Sequence, residues 1–212
     1  MKTVELIAFL ATDTAPTPPN AVARRLTPPI LAGGAVALVA LVAWLGLRPL
    51  GEAAQTGAFW MKTAYTLTLA LAGLLLVERL ARPGRRVGRI PLIAALAVAA
   101  LGVLAAVEMA LAGPGQMTAL WLGQTWDVCP LRIIALAAPL FVGTTWAMRG
   151  LAPTRLAAAG AAAGLFAGAA GATIYGLYCE ETAATFVFAW YTLGIALCAG
   201  LGGLLGPRLL RW

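Results

Sequence analysis

Six apolar runs, at residues 30–47, 59–77, 92–112, 131–148, 156–177 and 184–205, alternate along the chain with short polar stretches rich in arginine, proline and glycine. At a rise of about 1.5 Å per residue, each run is close to the length that crosses a ~30 Å hydrocarbon layer, the fourth only with its flanks included. The pattern predicts an all-α integral membrane protein of six transmembrane helices. Pro28-Pro29 is expected to open the first span and Arg48-Pro49 to close it. Three parts follow: an N-terminal segment (1–29), a six-helix domain (30–206) and a short tail (207–212). Within the first part, Leu6, Ile7, Phe9 and Leu10 fall largely on one side of a short helical pattern that stops at the proline-rich residues 12–19. The apolar run there is too short for a cleavable signal, and Glu5 precedes it where a basic cluster is needed.

Composition agrees with the pattern. The chain is 61% hydrophobic, against about 45–50% in soluble globular proteins. Nearly all charges lie between the apolar runs, as the cost of placing charge in hydrocarbon requires. An even number of spans puts both termini on one side. With that side inside, the tail (Lys2, Arg24, Arg25), the loop after span two (Arg79, Arg82, Arg85, Arg86, Arg89), the loop after span four (Arg149, Arg155) and the C-terminal tail (Arg208, Arg211) hold twelve of the 15 basic residues. Only Arg48, Lys62 and Arg132 lie at the other face, together with Glu52, Asp127, Glu180 and Glu181. The positive-inside bias therefore predicts N-in, C-in, and it accounts for the net charge of +7 without direct nucleic-acid binding. The absence of histidine excludes a histidine base and a histidine-ligated metal.

Gly160, Gly164 and Gly168, and Gly202 and Gly206, recur at four-residue spacing, which suits close helix packing. Glu108 and Lys62 are set within spans near their outer ends; each fits a snorkelling side chain, a mutual pair or a functional group. No repeated halves or paired broken helices suggest a transporter.

The candidate chemistry lies in the stretch 175–191, where Cys179 stands beside Glu180 and Glu181 with aromatic residues on both flanks. It reads as a short water-facing loop between spans five and six. A second thiol, Cys129, lies in the loop before span four on the same face, and Cys198 is mid-span and reads as packing. Two thiols on one face admit a structural disulfide, a switchable redox pair or a ligand pair for a thiophilic metal, with Asp127, Glu180 and Glu181 as auxiliary hard ligands. A cysteine at a helix N-terminus is the better thiolate, so Cys129, before Pro130, is expected to be the nucleophile and Cys179 the resolving partner.

Across the whole chain, the order of short motifs resembles the NrsF-type membrane anti-sigma factors. They are Glu5-Leu6-Ile7 with Leu10-Ala11-Thr12-Asp13, Gly46-Leu47-Arg48-Pro49, Phe59-Trp60-Met61-Lys62, Arg82-Pro83-Gly84-Arg85-Arg86, Cys129-Pro130-Leu131-Arg132, Tyr178-Cys179-Glu180-Glu181, Phe186, Trp190-Tyr191 and the closing Gly206-Pro207-Arg208-Leu209-Leu210-Arg211-Trp212. The resemblance implies a multi-pass protein of the bacterial inner membrane, without cofactor or catalysis, that holds an extracytoplasmic-function (ECF) sigma factor inactive at the cytoplasmic face. It implies that Cys129 and Cys179 sense oxidants or thiol-reactive metals and trigger release. Leu6, Ile7, Phe9 and Leu10, with Arg24 and Arg25, are then the expected contacts to the sigma factor. The alternative from the residues alone is a small membrane thiol oxidoreductase or metal transporter using the same pair. The lack of a C-x-x-C motif counts against the first, and the lack of ligands inside the spans beyond Glu108 against the second.

Overall fold

A computed structural model describes residues 3–12, 20–113 and 115–211. In chain order the helices are α1 (Thr3–Thr12), α2 (Ala21–Trp44), α3 (Leu50–Ala53), α4 (Gly57–Leu80), α5 (Ile90–Leu111), α6 (Met117–Leu122), α7 (Cys129–Arg149), α8 (Leu156–Tyr175), α9 (Ala184–Phe186) and, after a π-helical turn at Val187–Tyr191, α10 (Thr192–Leu209). No strand occurs among the described residues. Six helical stretches are long and apolar enough to cross a membrane: α2, α4, α5, α7, α8 and the continuous run Ala184–Leu209. The six spans read from the sequence are all present.

Their ends differ where proline was taken as a boundary. Pro28 and Pro29 lie inside α2, which begins at Ala21. Two consecutive prolines remove two backbone donors, and here tertiary contact holds the helix across them: the Pro29 carbonyl sits where a Cβ on Gly143 of α7 would be.

The middle of the bundle is α8. It packs against α10, α4 and α7, while α2 lies on α7 and α5 on α4 and the start of the sixth span. The reason is in its sequence: Ala and Gly fill α8, so neighbouring backbones approach it closely. A Cβ on Gly73 of α4 would come within 2.7 Å of Phe166 Cα, and one on Gly171 within 2.9 Å of Ala137 N in α7. Against α10 the fit is reciprocal, with Gly160 facing the Gly202 carbonyl and Gly202 facing the Gly160 carbonyl. The expected glycine spacing in spans five and six thus forms a single seam. Cys198 is buried in it, its Sγ near Gly168. Leu, Val and Trp side chains point outward from α2, α5 and α7, as a lipid-facing surface requires.

This antiparallel arrangement gives the bundle two distinct ends. One end gathers the chain at 45–56, 115–128 and 176–183 with both loop cysteines; the other gathers the start of α2, the loops at 81–89 and 150–155, and the end of α10. At the second end, Arg25 Nε donates to the Ala147 carbonyl (3.2 Å) and Arg149 Nε to the Leu209 carbonyl, so part of its basic charge serves as helix C-terminal capping. Glu78 pairs with Arg82 at 3.1 Å.

Candidate thiol site

Cys129 is the first residue of α7, and its N–H donates to the Thr125 carbonyl (2.9 Å). Cys179 follows the end of α8, where its N–H donates to the Tyr175 carbonyl (3.0 Å) and prolongs the last helical turn. Both thiols are free, and both enter one buried cluster with Tyr175, Phe186, Tyr191, Ile133 and Leu136. The expected water-facing loop is corrected here: Cys129 is 0% and Cys179 2% exposed. Glu180 alone of the Cys-Glu-Glu run is solvent-exposed. The loop turns inward because it is tied down at several points.

The central tie is Lys62. It is 1% exposed, and its Nζ donates to the carbonyl oxygens of Cys179 (2.9 Å) and Glu181 (2.8 Å). The ammonium also stands 5.5 Å from the centre of the Tyr191 ring. Carbonyl dipoles and a ring face thus replace water around a buried cation. Tyr191 is delivered by the π-helical turn, and its ring packs on Tyr175 at 5.7 Å. Both tyrosine hydroxyls are buried without a hydrogen-bond partner.

Glu181 makes the second tie. Its Oε1 accepts from the Gln124 N–H (2.7 Å) and the Thr125 hydroxyl (3.2 Å), so the two cysteine-bearing loops are joined directly. Gly123 makes this possible: its φ of +56° suits glycine, and a Cβ there would lie 2.6 Å from Glu181 Oε2. Farther out, Trp190 Nε1 donates to the Trp121 carbonyl (2.8 Å), and Trp190 packs on Trp126. Glu108 forms the third tie, accepting from the N–H groups of Ala184 (3.2 Å) and Thr185 (2.7 Å) and from the Thr185 hydroxyl (2.7 Å). It therefore caps the sixth span from α5, placing a carboxylate at a helix N-terminus. A Glu108–Lys62 pair does not form, because backbone groups satisfy each of them separately.

Above the thiols opens a cleft of about 560 Å³ lined by Leu45, Arg48, Gln124, Tyr178, Cys179 and Glu181, among others. Cys179 lines this cleft and Cys129 does not, so access favours Cys179 even though Cys129 holds the helix N-terminus. Asp127 is exposed, and among the described residues no three cysteine or carboxylate side chains converge as a metal-ligating group. The other candidates lie elsewhere. Leu6, Ile7 and Phe9 are exposed on α1 (41%, 61% and 72%), the Leu10 side chain is outside the described residues, Arg24 is exposed and Arg25 caps α7.

A sequence profile described as "NrsF: Negative regulator of sigma F" matches residues 10–212. The chain belongs to the NrsF family. It is 43% identical over 219 residues to the anti-sigma-F factor NrsF of Caulobacter vibrioides (strain NA1000 / CB15N), and 39% identical over 213 residues to the probable anti-sigma-F factor NrsF of Azospira oryzae (strain ATCC BAA-33 / DSM 13638 / PS). Each match covers 100% of both chains. No solved structure matches. Sequence reasoning singled out Cys129 and Cys179 but not how they are held. Lys62 stood out as an ionisable residue within a span, open to a snorkelling, paired or functional reading, and Arg48 only as a loop charge.

Proposed function

We propose that the protein is an anti-sigma factor of the bacterial inner membrane, with both termini cytoplasmic, that sequesters an ECF sigma factor and releases it when Cys129 and Cys179 meet oxidants or thiol-reactive metals in the periplasm. The observation that carries this reading is the junction of two thiols, 50 residues apart in sequence, in one buried cluster that draws residues from all six spans. The names of both relatives support the sigma-factor part. The bias of arginine toward the opposite end supports the orientation.

The coupling is mechanical. Oxidation joins the two sulfurs, with two protons and two electrons passing to the oxidant, and so ties the first residue of α7 to the residues after α8. Glycine-lined helices shift as rigid bodies, because backbone-to-backbone contact leaves little room for local adjustment. A tenfold loss of sigma-factor affinity takes about 1.4 kcal/mol, less than a covalent bond can bias. On the cytoplasmic side, α1 offers Leu6, Ile7 and Phe9 to a groove of the sigma factor, with Leu10, Arg24 and Arg25 as further contacts.

The experiment is co-purification of the full chain, in detergent, with an ECF sigma factor from the same organism. The unaltered chain is expected to retain the sigma factor. An Ile7→Asp, Phe9→Asp variant is expected to lose at least about tenfold in affinity, as apolar anchors at interface centres do. A chain that retains no sigma factor contradicts the reading, and unchanged affinity in the variant removes α1 from the interface.

A further inference from the structure

The cleft over Cys179 contains a cation that the thiol cluster does not use. Arg48 lies between α2 and α3, where its N–H donates to the Leu177 carbonyl (3.3 Å) and its guanidinium stacks 4.9 Å from the Phe59 ring centre. Its Nε and Nη2 are buried and have no hydrogen-bond partner. Buried donors left without a partner are costly, and more so when charged, so such a fork is usually filled. Lys62 reaches the same loop two residues beyond Leu177, and neither cation has a carboxylate ion-pair partner among the described residues. The two acidic groups lining the cleft do not cancel this charge. Glu181 already accepts from Gln124 and Thr125, and Glu180 is exposed to solvent, which screens it.

We propose that Arg48 makes this cleft an anion-binding site next to Cys179, one that admits small thiol-reactive molecules carrying a sulfonate, carboxylate or similar oxyanion group in preference to cationic ones. The parallel N–H groups of a guanidinium match two oxygens of such a group, and the ring of Phe59 holds the plane in position. The cleft volume of about 560 Å³ accommodates a small organic anion with its reactive end at the sulfur. The site goes beyond the anti-sigma reading, and a failed sigma-factor co-purification leaves its test intact because the readout is modification of one thiol.

The test uses the full chain in lipid nanodiscs with Cys129→Ser and Cys198→Ser, leaving Cys179 as the sole thiol. Its rates with anionic sulfonatoethyl methanethiosulfonate and cationic trimethylammonioethyl methanethiosulfonate are each divided by the rate with free 2-mercaptoethanol. In both reactions the thiolate sulfur displaces methanesulfinate, so one S–S bond replaces another. The normalised anion-to-cation ratio is expected to exceed one, to fall about tenfold in Arg48→Gln and to survive in Arg48→Lys, a pattern that loss of packing alone does not produce. A ratio at or below one in the parent, or an unchanged ratio in Arg48→Gln, overturns the proposal. A second measurement uses the unaltered chain: ethanesulfonate is expected to slow alkylation of Cys179 by uncharged N-ethylmaleimide, followed by peptide mass spectrometry, and tetramethylammonium is not. Absence of protection by ethanesulfonate overturns it as well.

Discussion

Gly164→Leu is expected to lower the stability of the bundle on the order of 3 kcal/mol, the upper part of the range for overpacked interiors. The magnitude follows from what the new side chain would meet. Even a Cβ at Gly164 would fall on the Cys198 carbonyl oxygen and within 2.9 Å of Ala199 Cα, and backbone cannot swing aside as a flexible side chain can. The α8–α10 seam must then widen along its length, because Gly160 and Gly202 depend on the same close approach. Gly200 provides the internal control. It lies on α10, two residues before Gly202, with nothing within 4 Å of an added Cβ, so Gly200→Leu should stay within about 0.5 kcal/mol of the parent. Reversible unfolding in mixed micelles measures both. Equal stability of the two variants would show that the seam does not hold the bundle together.

Lys62→Met is expected to raise the rate of Cys179 alkylation at least about tenfold, corresponding to ~1.4 kcal/mol of loop opening, with helix content unchanged. Two effects oppose each other in this variant. Removing the ammonium relieves the cost of burying an unpaired charge, several kcal/mol. It also deprives the Cys179 and Glu181 carbonyls of their donor, and charge-assisted hydrogen bonds are worth about 1.5–3 kcal/mol each. Global stability therefore changes little, whereas the loop at 176–183 loses what turns it inward. Methionine matches the length of the lysine stem closely enough to keep α4 packed. Alkylation with N-ethylmaleimide, read at the Cys179 peptide, separates the two effects. A rate equal to the parent's would mean that Glu181 and the aromatic cluster hold the loop without Lys62.

The six spans were legible in the sequence because lipid imposes one requirement, an uninterrupted apolar helix, that composition alone reveals. The α8–α10 seam was legible because small residues at four-residue spacing have few other uses inside a membrane. The proline pair at 28–29 misled because its tolerance depends on a neighbour: α7 supplies Gly143 against the Pro29 carbonyl, and no local signal records that contact. The thiol site was half legible. Cysteines beside carboxylates marked the place, but the loop's inward turn rests on Lys62, Glu181 and Gly123, which come from three different segments. Glu108 was visible as a carboxylate in a span, yet its role depends on the N-terminus of another helix lying opposite it. Such partners are set by the packing of the bundle and leave no trace in the spacing of residues along one segment.

The central claim, that Cys129 and Cys179 govern the hold on a sigma factor, is tested most directly by loading the purified full chain with that sigma factor and measuring retention before and after an oxidant. The account predicts that oxidant releases the sigma factor from the unaltered chain and that a Cys129→Ser, Cys179→Ser variant binds as well but no longer responds. Release from the double variant to the same extent, or undiminished retention by the unaltered chain once its two thiols are joined, would contradict it.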